Sequence, residues 1–354
     1  MDKKYKILSV FSGCGGTDIG FHGDFTYLGK YFKPLPFDTA IGMDINKDAC
    51  DTLLKNTKYF NGIQVHNIDI TQYDPINFIN EEYDVLTGGF PCVTFSMAGK
   101  RLGVKDQVNG MLYETFAKYI EVIKPKIFVG ENVRGILSAN NGQAIQIIKN
   151  RFAQMNYTVK IYSVNFADFG VPQLRNRVLF IGVRNDISIQ FVGPEYQTKN
   201  NHISSKKALR AISSTCTNNN KMKISKNVLK KLKVIPEGGN FQDLPPNLAV
   251  KGLMSNIYRK LDRNKPSTTI IASGGGGTWG YHFREPRPLT NRERARIQSF
   301  PDDFQFEGNN TEVRRQIGNA IPPVGIYYFA ERILDVLNGK QNILTNNCIT
   351  EYIV

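Results

Sequence analysis

A single cysteine follows Phe-Pro in the segment GGFPCVTFS (88–96), at the end of an apolar run. Gly88, Gly89 and Pro91 interrupt regular structure, so Cys92 is expected on a stiff loop rather than inside a helix or strand. A thiolate on such a loop can attack an electrophilic carbon when cations or oriented backbone amides lower the thiol pKa. A buried cysteine is more often a small apolar residue, and this segment alone does not distinguish the two.

Glycines and acids at predicted strand ends form a second group of candidate residues. The segment FSGCGGTDIGF (11–21) places three glycines between a strand and a helix, where a ligand can approach the backbone. Asp44 ends a second predicted strand and can accept hydrogen bonds from ribose hydroxyls, and Asp69 in HNIDIT can bind an adenine amino group. An acid at a strand end is more often a helix cap. These strand ends predict a nucleoside cofactor and leave nicotinamide and adenosylmethionine cofactors open.

Positive charge is concentrated in one segment of the chain. The 354 residues carry 45 Lys and Arg against 31 Asp and Glu, a net charge of +14. Fifteen basic and three acidic residues lie between Lys199 and Lys265, which leaves about +2 for the rest. Such a distribution is typical of nucleic-acid binding, and a solvated lysine-rich surface is the alternative.

Composition argues against several other classes of protein. The five cysteines are scattered and never form CxxC, and with four histidines they indicate neither a zinc site nor a disulfide framework. No apolar run reaches about 18 residues, the length of a membrane span. The start MDKKYKILSVF runs into glycines, which favours a strand over a secretion signal. We expect a reduced cytoplasmic protein without metal.

The order of predicted elements indicates an α/β fold. Apolar strands alternate with helices as far as IFVGENV (127–133), and Asn46 is a suitable N-cap for the helix NKDACDTLLKNT. YTVKIYSVN and RVLFIGVR suit an antiparallel pair. We therefore predict a doubly wound mixed sheet, mostly parallel. After about residue 185 polar and glycine-rich clusters predict a second, smaller irregular domain, and the amphipathic tail helix is expected to pack back on the first.

Six segments, taken together and in order, closely resemble the DNA (cytosine-5) methyltransferases of bacterial restriction-modification systems. They span nearly the whole chain apart from about residues 186–280. The segments are FSGCGGTDIGF (11–21), GGFPCVTFS (88–96), GENVRG (130–135), FGVPQLRNRVLFIGVR (169–184), RPLTNRERARIQSFP (287–301) and QIGNAIPP (316–323).

The resemblance implies a Rossmann-like methyltransferase fold and transfer of a methyl group from S-adenosylmethionine (AdoMet) to carbon 5 of cytosine. Cys92 resembles the nucleophile that adds to carbon 6, which is needed because carbon 5 is itself a poor nucleophile. Glu131 resembles the acid that contacts ring nitrogen 3 and the amino group. Arg175 and Arg177, two residues apart on extended chain, lie on one face and resemble the residues that hold the flipped cytidine and brace the catalytic loop.

The resemblance also implies binding residues and no metal. For the cofactor these are Phe11, Ser12, Gly13, Cys14, Gly15, Gly16, Asp44, Ile45, Asp69, Ile70, Pro91, Leu112, Asn319 and Ala320. A target base must be flipped out of the duplex to reach the nucleophile. With the basic segment, the implied DNA contacts are Ser96, Lys230, Lys231, Lys233, Gly276 and Arg284, the last expected within reach of guanine edges.

A division of the chain follows from the same resemblance. Residues 1–185 and 312–354 are expected to form the catalytic, AdoMet-binding domain, and residues 186–311 a target-recognition domain with its variable region at about 186–285. The expected partner is double-stranded DNA, bound by a monomer in the bacterial cytoplasm, at the nucleoid. A cognate restriction endonuclease would act separately.

Two residues depart from the family pattern. Val93 stands where the family often has Gln after the catalytic Cys, and that Gln helps fill the gap left by the extruded base. Asp44 stands where the family often has Glu, which is longer by one methylene. Neither change removes a chemical requirement, but both bear on fine geometry.

Three other functions compete with this interpretation. An RNA cytosine-5 methyltransferase shares the fold, although the long basic insert suits a duplex better. A catalytically idle DNA-binding regulator would have no reason to keep Cys92, Glu131 and Arg175 together. A nicotinamide oxidoreductase accounts for the first glycines and for nothing after Gly88.

Overall fold

The computed structural model describes residues 4–90, 104–251, 255–272 and 277–352, with the backbone alone for residues 104–111. A seven-stranded sheet in this part of the chain has the order β5-β4-β1-β6-β7-β10-β8. In chain order the strands are β1 (Tyr5–Val10), β2 (Phe25–Tyr27), β3 (Lys30–Phe32), β4 (Phe37–Asp44), β5 (Gln64–Asn67), β6 (Val85–Gly89), β7 (Ile127–Val133), β8 (Tyr157–Asn165), β9 (Gln173–Leu174), β10 (Asn176–Arg184) and β11 (Ser267–Thr268).

Helices cover the sheet, and short helices also occur in the chain after residue 185. In chain order they are α1 (Gly16–His22), α2 (Lys47–Lys55), α3 (Val104–Ile123), α4 (Gln143–Gln154), α5 (Ser205–Ala208), α6 (Lys226–Val234), α7 (Asn291–Ile297), α8 (Asn310–Asn319) and α9 (Pro323–Leu337). None of these described helices has the length and apolar character needed to cross a membrane.

Five neighbouring strands of the sheet run parallel, and the last two are antiparallel. β5, β4, β1, β6 and β7 pair in parallel, while β10 pairs antiparallel with both β7 and β8. The parallel strands are rich in buried apolar residues because helices cover both faces of the sheet. The predicted doubly wound mixed sheet and the predicted antiparallel pair are therefore both confirmed.

The connections place several candidate residues at one edge of the sheet. From β1 the chain moves outward through β4 to β5 on one side, and through β6 to β7 on the other. Ligands of such sheets bind outside the carboxyl ends of the strands, where the strand order reverses. Phe11 follows β1, Asp44 ends β4, Phe90 follows β6, and Glu131 lies near the end of β7.

Two local predictions are also confirmed. Asn46 caps α2, with its side chain accepting a hydrogen bond from the Ala49 amide at 2.9 Å. The tail helix α9 packs on α1, where Gly20 leaves no room for a side chain: a Cβ there would lie 2.7 Å from the Pro323 carbonyl oxygen and would overlap Ile326.

A short hairpin between α1 and β4 was not predicted from the sequence. Strands β2 and β3 pair antiparallel, and the rings of Phe25 and Phe32 stack with centroids 4.7 Å apart. The Tyr27 hydroxyl donates to the Arg296 carbonyl oxygen at 2.6 Å, so the hairpin contacts the end of α7.

The chain from residue 186 to α7 has little regular structure. Its two-residue strand β11 pairs in parallel with β9. A single hydrophobic cluster joins both parts of the chain, since it contains Phe166 and Ile181 as well as Leu261, Leu289 and Ile297. The core of the irregular part is therefore continuous with one face of the sheet.

Candidate active site

The glycine loop after β1 is held by hydrogen bonds to the end of β4. Gly13 and Gly15 adopt positive φ of 53° and 81°, which residues with a side chain rarely do. The Gly13 amide donates to Asp44 Oδ2 at 2.8 Å. Ser12 Oγ accepts from the Met43 amide at 2.8 Å and donates to the Ser9 carbonyl oxygen at the same distance. The loop thus has a fixed conformation beside Asp44.

Asp44 combines a local structural role with access to a ligand. Its carboxylate accepts from the Gly13 and Asn46 amides, both at 2.8 Å, and burial raises its pKa above the usual range. The next side chain, Ile45, is 70 % exposed. No described atom lies within 4 Å of a Cβ placed on Gly13. An oxygen acceptor, an exposed apolar side chain and an open backbone fit a nucleoside ligand such as AdoMet.

The C-terminal motif QIGNAIPP closes the other side of the glycine loop. A Cβ on Gly16 would lie 3.2 Å from the Ala320 Cβ and would overlap the Ile321 carbonyl oxygen. Asn319, the last residue of α8, has an exposed side chain. The structure therefore brings the first and last predicted cofactor segments into direct contact.

Several other predicted cofactor residues cap a turn or pack in a hydrophobic cluster. Asp69 accepts from the Thr71 amide at 2.9 Å and the Thr71 hydroxyl at 2.8 Å, so it caps the turn that follows it. Ile70 is buried, and Phe11 and Leu112 pack against the hydrophobic cluster that contains it. Cys14 is buried, with Sγ 3.7 Å from the Gln316 carbonyl oxygen, and burial raises its thiol pKa well above the usual range.

Glu131 and Arg177 form a nearly buried ion pair beside the end of β6. Arg177 Nε lies 2.7 Å from Glu131 Oε1. Glu131 is paired with Gly89 across the sheet, and a Cβ on Gly89 would lie 3.3 Å from Glu131 Oε2. Burial raises the pKa of Glu131, and the charges of Arg177 and Arg175 oppose that rise. One carboxylate oxygen is thus held by a cation while the other faces the strand that leads to Cys92.

The chain that leads to Cys92 is anchored as it leaves the sheet. Phe90 is buried, and its ring lies 5.2 Å from that of Phe116. Asn132, buried in β7, donates from Nδ2 to the Phe90 carbonyl oxygen at 3.0 Å. Pro91, Cys92, Val93 and Ser96 lie outside the described residues.

Arg175 is buried between segments that are distant in sequence. Its side chain is fully buried and donates to the Gly318 carbonyl oxygen at 2.9 Å and to the Ile270 carbonyl oxygen at 3.4 Å. Burial lowers its pKa to about 9. Arg175 therefore joins β9–β10 to α8 and to the chain after β11, and it presents no exposed surface to a substrate. This position suits the expected bracing role, and a contact with the flipped cytidine stays a prediction.

One of the predicted DNA-contacting lysines is also buried. Lys230 and Lys233 of α6 are exposed, but Lys231 is only 7 % exposed, and its Nζ donates to Asn227 Oδ1 at 3.1 Å. Consecutive residues of a helix point in different directions, so one of three neighbouring lysines can turn inward. Arg284 is exposed, and Gly276 lies outside the described residues.

Buried arginines of α7 are functional candidates that the sequence interpretation missed. Arg292 Nε donates to the Thr217 carbonyl oxygen at 3.0 Å. Arg294 Nη2 donates to the Trp279 carbonyl oxygen at 2.7 Å, and Arg296 Nη1 to the Arg210 carbonyl oxygen at 2.6 Å. These arginines bind backbone oxygens of the chain between residue 186 and α7. Helix α7 therefore holds that irregular segment in place. The alternating arginines of NRERARI were the available signal.

No group of three or more His, Cys, Asp or Glu side chains suited to a metal ion occurs among the described residues. The site instead consists of a glycine loop, acids at strand ends and an ion pair.

Solved structures identify the class of fold. A putative DNA modification methyltransferase encoded within an Escherichia coli prophage superposes with a TM-score of 0.75 at 20 % identity, over 95 % of this chain and 100 % of that one. The S. pombe Dnmt2 methyltransferase gives a TM-score of 0.66 at 16 % identity, over 95 % and 100 % of the two chains. The fold is the Rossmann-like fold of AdoMet-dependent methyltransferases.

Sequence relatives narrow the class to a family. The model of the C-5 cytosine-specific DNA methylase family matches residues 5–335. The type II methyltransferase M.NgoFVII of Neisseria gonorrhoeae is 46 % identical over 346 residues, 95 % of this chain and 88 % of that protein. M.BbvI of Brevibacillus brevis is 36 % identical over 347 residues, 94 % and 91 % of the two. The chain belongs to the C-5 cytosine-specific DNA methylase family, and it is a DNA (cytosine-5) methyltransferase.

Proposed function

We propose that this enzyme transfers a methyl group from AdoMet to carbon 5 of a cytosine at a specific sequence in duplex DNA, through a covalent bond to Cys92. The observation that carries the proposal is the Glu131–Arg177 ion pair beside Gly89, three residues before Cys92. The ion pair orients an acid of β7 beside the end of β6, the strand that leads to Cys92.

Cys92 is the nucleophile in this proposal. Its thiolate bonds to carbon 6 of the extruded cytosine, and the ring electrons move towards nitrogen 3, which makes carbon 5 electron-rich. After carbon 5 has gained the methyl group, solvent water takes up the carbon 5 proton and the bond between Cys92 and carbon 6 breaks, which restores the ring and the thiolate. The Asn132–Phe90 hydrogen bond fixes the backbone from which the Cys92 loop starts.

Glu131 offsets the charge that develops on the ring. Its protonated carboxyl donates to nitrogen 3 as the thiolate adds, which requires a carboxyl pKa above the usual range. Burial of Glu131 acts in that direction. Arg177 limits the shift and holds Oε1, so that Oε2 is the oxygen available to the base.

AdoMet is held by the loop between β1 and α1 together with the ends of β4 and α8. When bound, AdoMet supplies an electrophilic methyl group to carbon 5. Asp44 would accept a hydrogen bond from its ribose, and Gly13 and Ile45 would complete the site around it. Asn319 and Ala320 close the site from the side of α8, where Ala320 already packs on Gly16.

Duplex DNA binds across the irregular segment. We assign residues 1–185 and 312–354 to catalysis and AdoMet binding, and residues 186–311 to target recognition, with the variable part at about 186–285. The exposed Lys230 and Lys233 contact phosphates. The buried arginines of α7 keep this segment in a fixed position relative to the site.

The names of the relatives support a proposal for the biological setting. Both sequence relatives described above are named type II methyltransferases. We propose that this enzyme acts as a monomer on the DNA of a bacterial cell, at the nucleoid, and protects sites that a separate restriction endonuclease would cut.

Transfer of a labelled methyl group tests the proposal. The full chain is incubated with AdoMet carrying a tritiated methyl group and with duplex DNA or, as the control, transfer RNA. After digestion to nucleosides, we expect the label in 5-methyldeoxycytidine from the DNA. Label in RNA alone, or on another base, would contradict the proposal.

A further inference from the structure

The turn of residues 282–287 is held by an unusual cap. His282 is buried, and its Nδ1 accepts hydrogen bonds from the amides of Arg284 and Glu285, both at 3.1 Å. An imidazole nitrogen that accepts carries no proton, so His282 is neutral in this arrangement. The side chain thereby performs the task that Asn or Asp performs in an Asx-turn, where the side-chain oxygen binds the amides two and three residues on.

Ion pairs connect the same turn to α7. Glu285 accepts from Arg287 Nε at 2.8 Å and from Lys221 Nζ at 2.9 Å. Arg287 also pairs with Glu293 at 2.7 Å, and Glu293 forms the capping box of α7 with Thr290. The turn is therefore held at its start by His282 and near its end by the ion pair between Arg287 and α7.

Arg284 stands at this turn with its side chain exposed. The side chain forms no hydrogen bond or ion pair with any described residue, while the backbone amide donates to His282 Nδ1. The other cation of the turn, Arg287, has a side chain only 13 % exposed and binds two carboxylates. The turn thus uses one arginine for its own stability and presents the second to solvent.

We propose that Arg284 is a specificity-determining residue that binds the O6 and N7 acceptors of a guanine in the major groove of the target. This inference rests on the proposed function. The planar guanidinium matches these two acceptors, and the pair is the commonest base-specific contact to DNA. Because the backbone at Arg284 is already fixed, little ordering of the main chain is needed on binding. His282 and Arg287 are positioning residues for this contact.

The experiment begins by determining which DNA sequence the enzyme recognises. The full chain methylates a library of random duplexes, and bisulfite sequencing gives the recognised sequence. Each guanine of that sequence is then replaced singly by 7-deazaguanine, which lacks N7 and keeps its base pair. For the unmodified enzyme we expect kcat/KM to fall about 5- to 150-fold at one guanine. Arg284→Ala should lose the preference for that base pair and should not respond to 7-deazaguanine there.

Three further variants separate base contact from other roles. His282→Asn, which can cap the turn in the same way, should keep the preference, whereas His282→Leu should weaken it. Arg210→Ala removes another exposed arginine of the segment and should leave the preference intact. An Arg284→Ala enzyme that is slower on every sequence but equally selective would overturn the inference and indicate a phosphate contact.

Failure of the proposed function would look different. An enzyme that transfers no methyl group to any duplex would contradict the methyltransferase proposal itself. An enzyme that methylates without sequence preference would contradict both the specificity of the proposed function and the role of Arg284. A selective enzyme for which no guanine is sensitive to 7-deazaguanine would overturn the role of Arg284 alone.

Discussion

Arg177 Nε lies 2.7 Å from Glu131 Oε1, and both side chains are about one-eighth exposed, at 13 % and 12 %. The two residues come from adjacent antiparallel strands, where Arg177 is paired with Val133 and Leu179 with Glu131. Two effects act on the Glu131 carboxyl: burial raises its pKa and the guanidinium charge lowers it. Their balance determines how much protonated acid is available to a bound cytosine.

The pH profile of methyl transfer should reveal this balance. Since the protonated carboxyl is the active form, the single-turnover rate should fall as pH rises through the raised pKa of Glu131. Arg177→Gln removes the charge that stabilises the carboxylate, so the pKa should rise and the descending limb should move to higher pH. Glu131→Gln should lower the rate by about 10²- to 10⁴-fold and abolish that limb.

A matched substitution controls for loss of an acid in general. Glu114 is exposed on α3, and Glu114→Gln should keep both the rate and the profile. A descending limb that stays in place in both Arg177→Gln and Glu131→Gln would show that another group titrates there.

Gly318 is expected to connect DNA binding with the catalytic strand. Its carbonyl oxygen accepts from Arg175, and a Cβ at this position would lie 2.5 Å from Ala272 Cα. Gly318→Ala should therefore displace the chain that leads into the glycine-rich segment, lower the free energy of unfolding by roughly 1–3 kcal/mol and weaken duplex binding, since overpacking of this kind forces backbone shifts. Fluorescence anisotropy measures duplex binding, and calorimetry measures how far the change extends to AdoMet, whose proposed site includes the next residue, Asn319.

Thr311→Ala, an exposed change at the start of the same helix, is the control for α8 and should bind DNA normally. If Gly318→Ala binds duplex DNA as the unmodified enzyme does, the contact with Ala272 has no role in substrate binding.

Salt dependence tests the basic segment. Neutralised phosphates release counterions, so log K for duplex binding should fall steeply and linearly with log salt. Because Lys231 is buried, the change should come from Lys230 and Lys233 alone: replacing both with Gln should reduce the slope by up to about 2. Lys340→Gln, an exposed lysine outside the segment, should leave the slope unchanged. A flat slope in the unmodified enzyme would contradict the binding of phosphates by the basic segment.

The sequence predicted those features that depend on local pattern. The helix cap at Asn46, the antiparallel pair β8–β10 and the acid at the end of β4 all follow from residue types at short spacing, and the structure contains each of them. The order of the motifs also identified the family, which the relatives confirm.

Features that depend on distant packing were not predictable in this way. Arg175 and Lys231 have polar side chains that usually face solvent, yet both are buried. Arg175 binds the carbonyl oxygens of Ile270 and Gly318, which are far away in sequence. The arginines of α7 bind carbonyl oxygens up to 88 residues away, as Arg296 does with Ala208. The β2–β3 hairpin is three residues per strand, too short to show a period.

Covalent trapping on DNA tests the central claim most directly. Duplexes that contain 5-fluorocytosine should hold the enzyme after methyl transfer, because the fluorine blocks the elimination that frees Cys92. Mass spectrometry of the digested adduct should place the nucleotide on Cys92. Cys92→Ser should form no adduct while still binding DNA, and Cys216→Ser, which changes a half-buried free cysteine, should be trapped normally. An adduct on any other residue, or undiminished trapping of Cys92→Ser, would contradict the account.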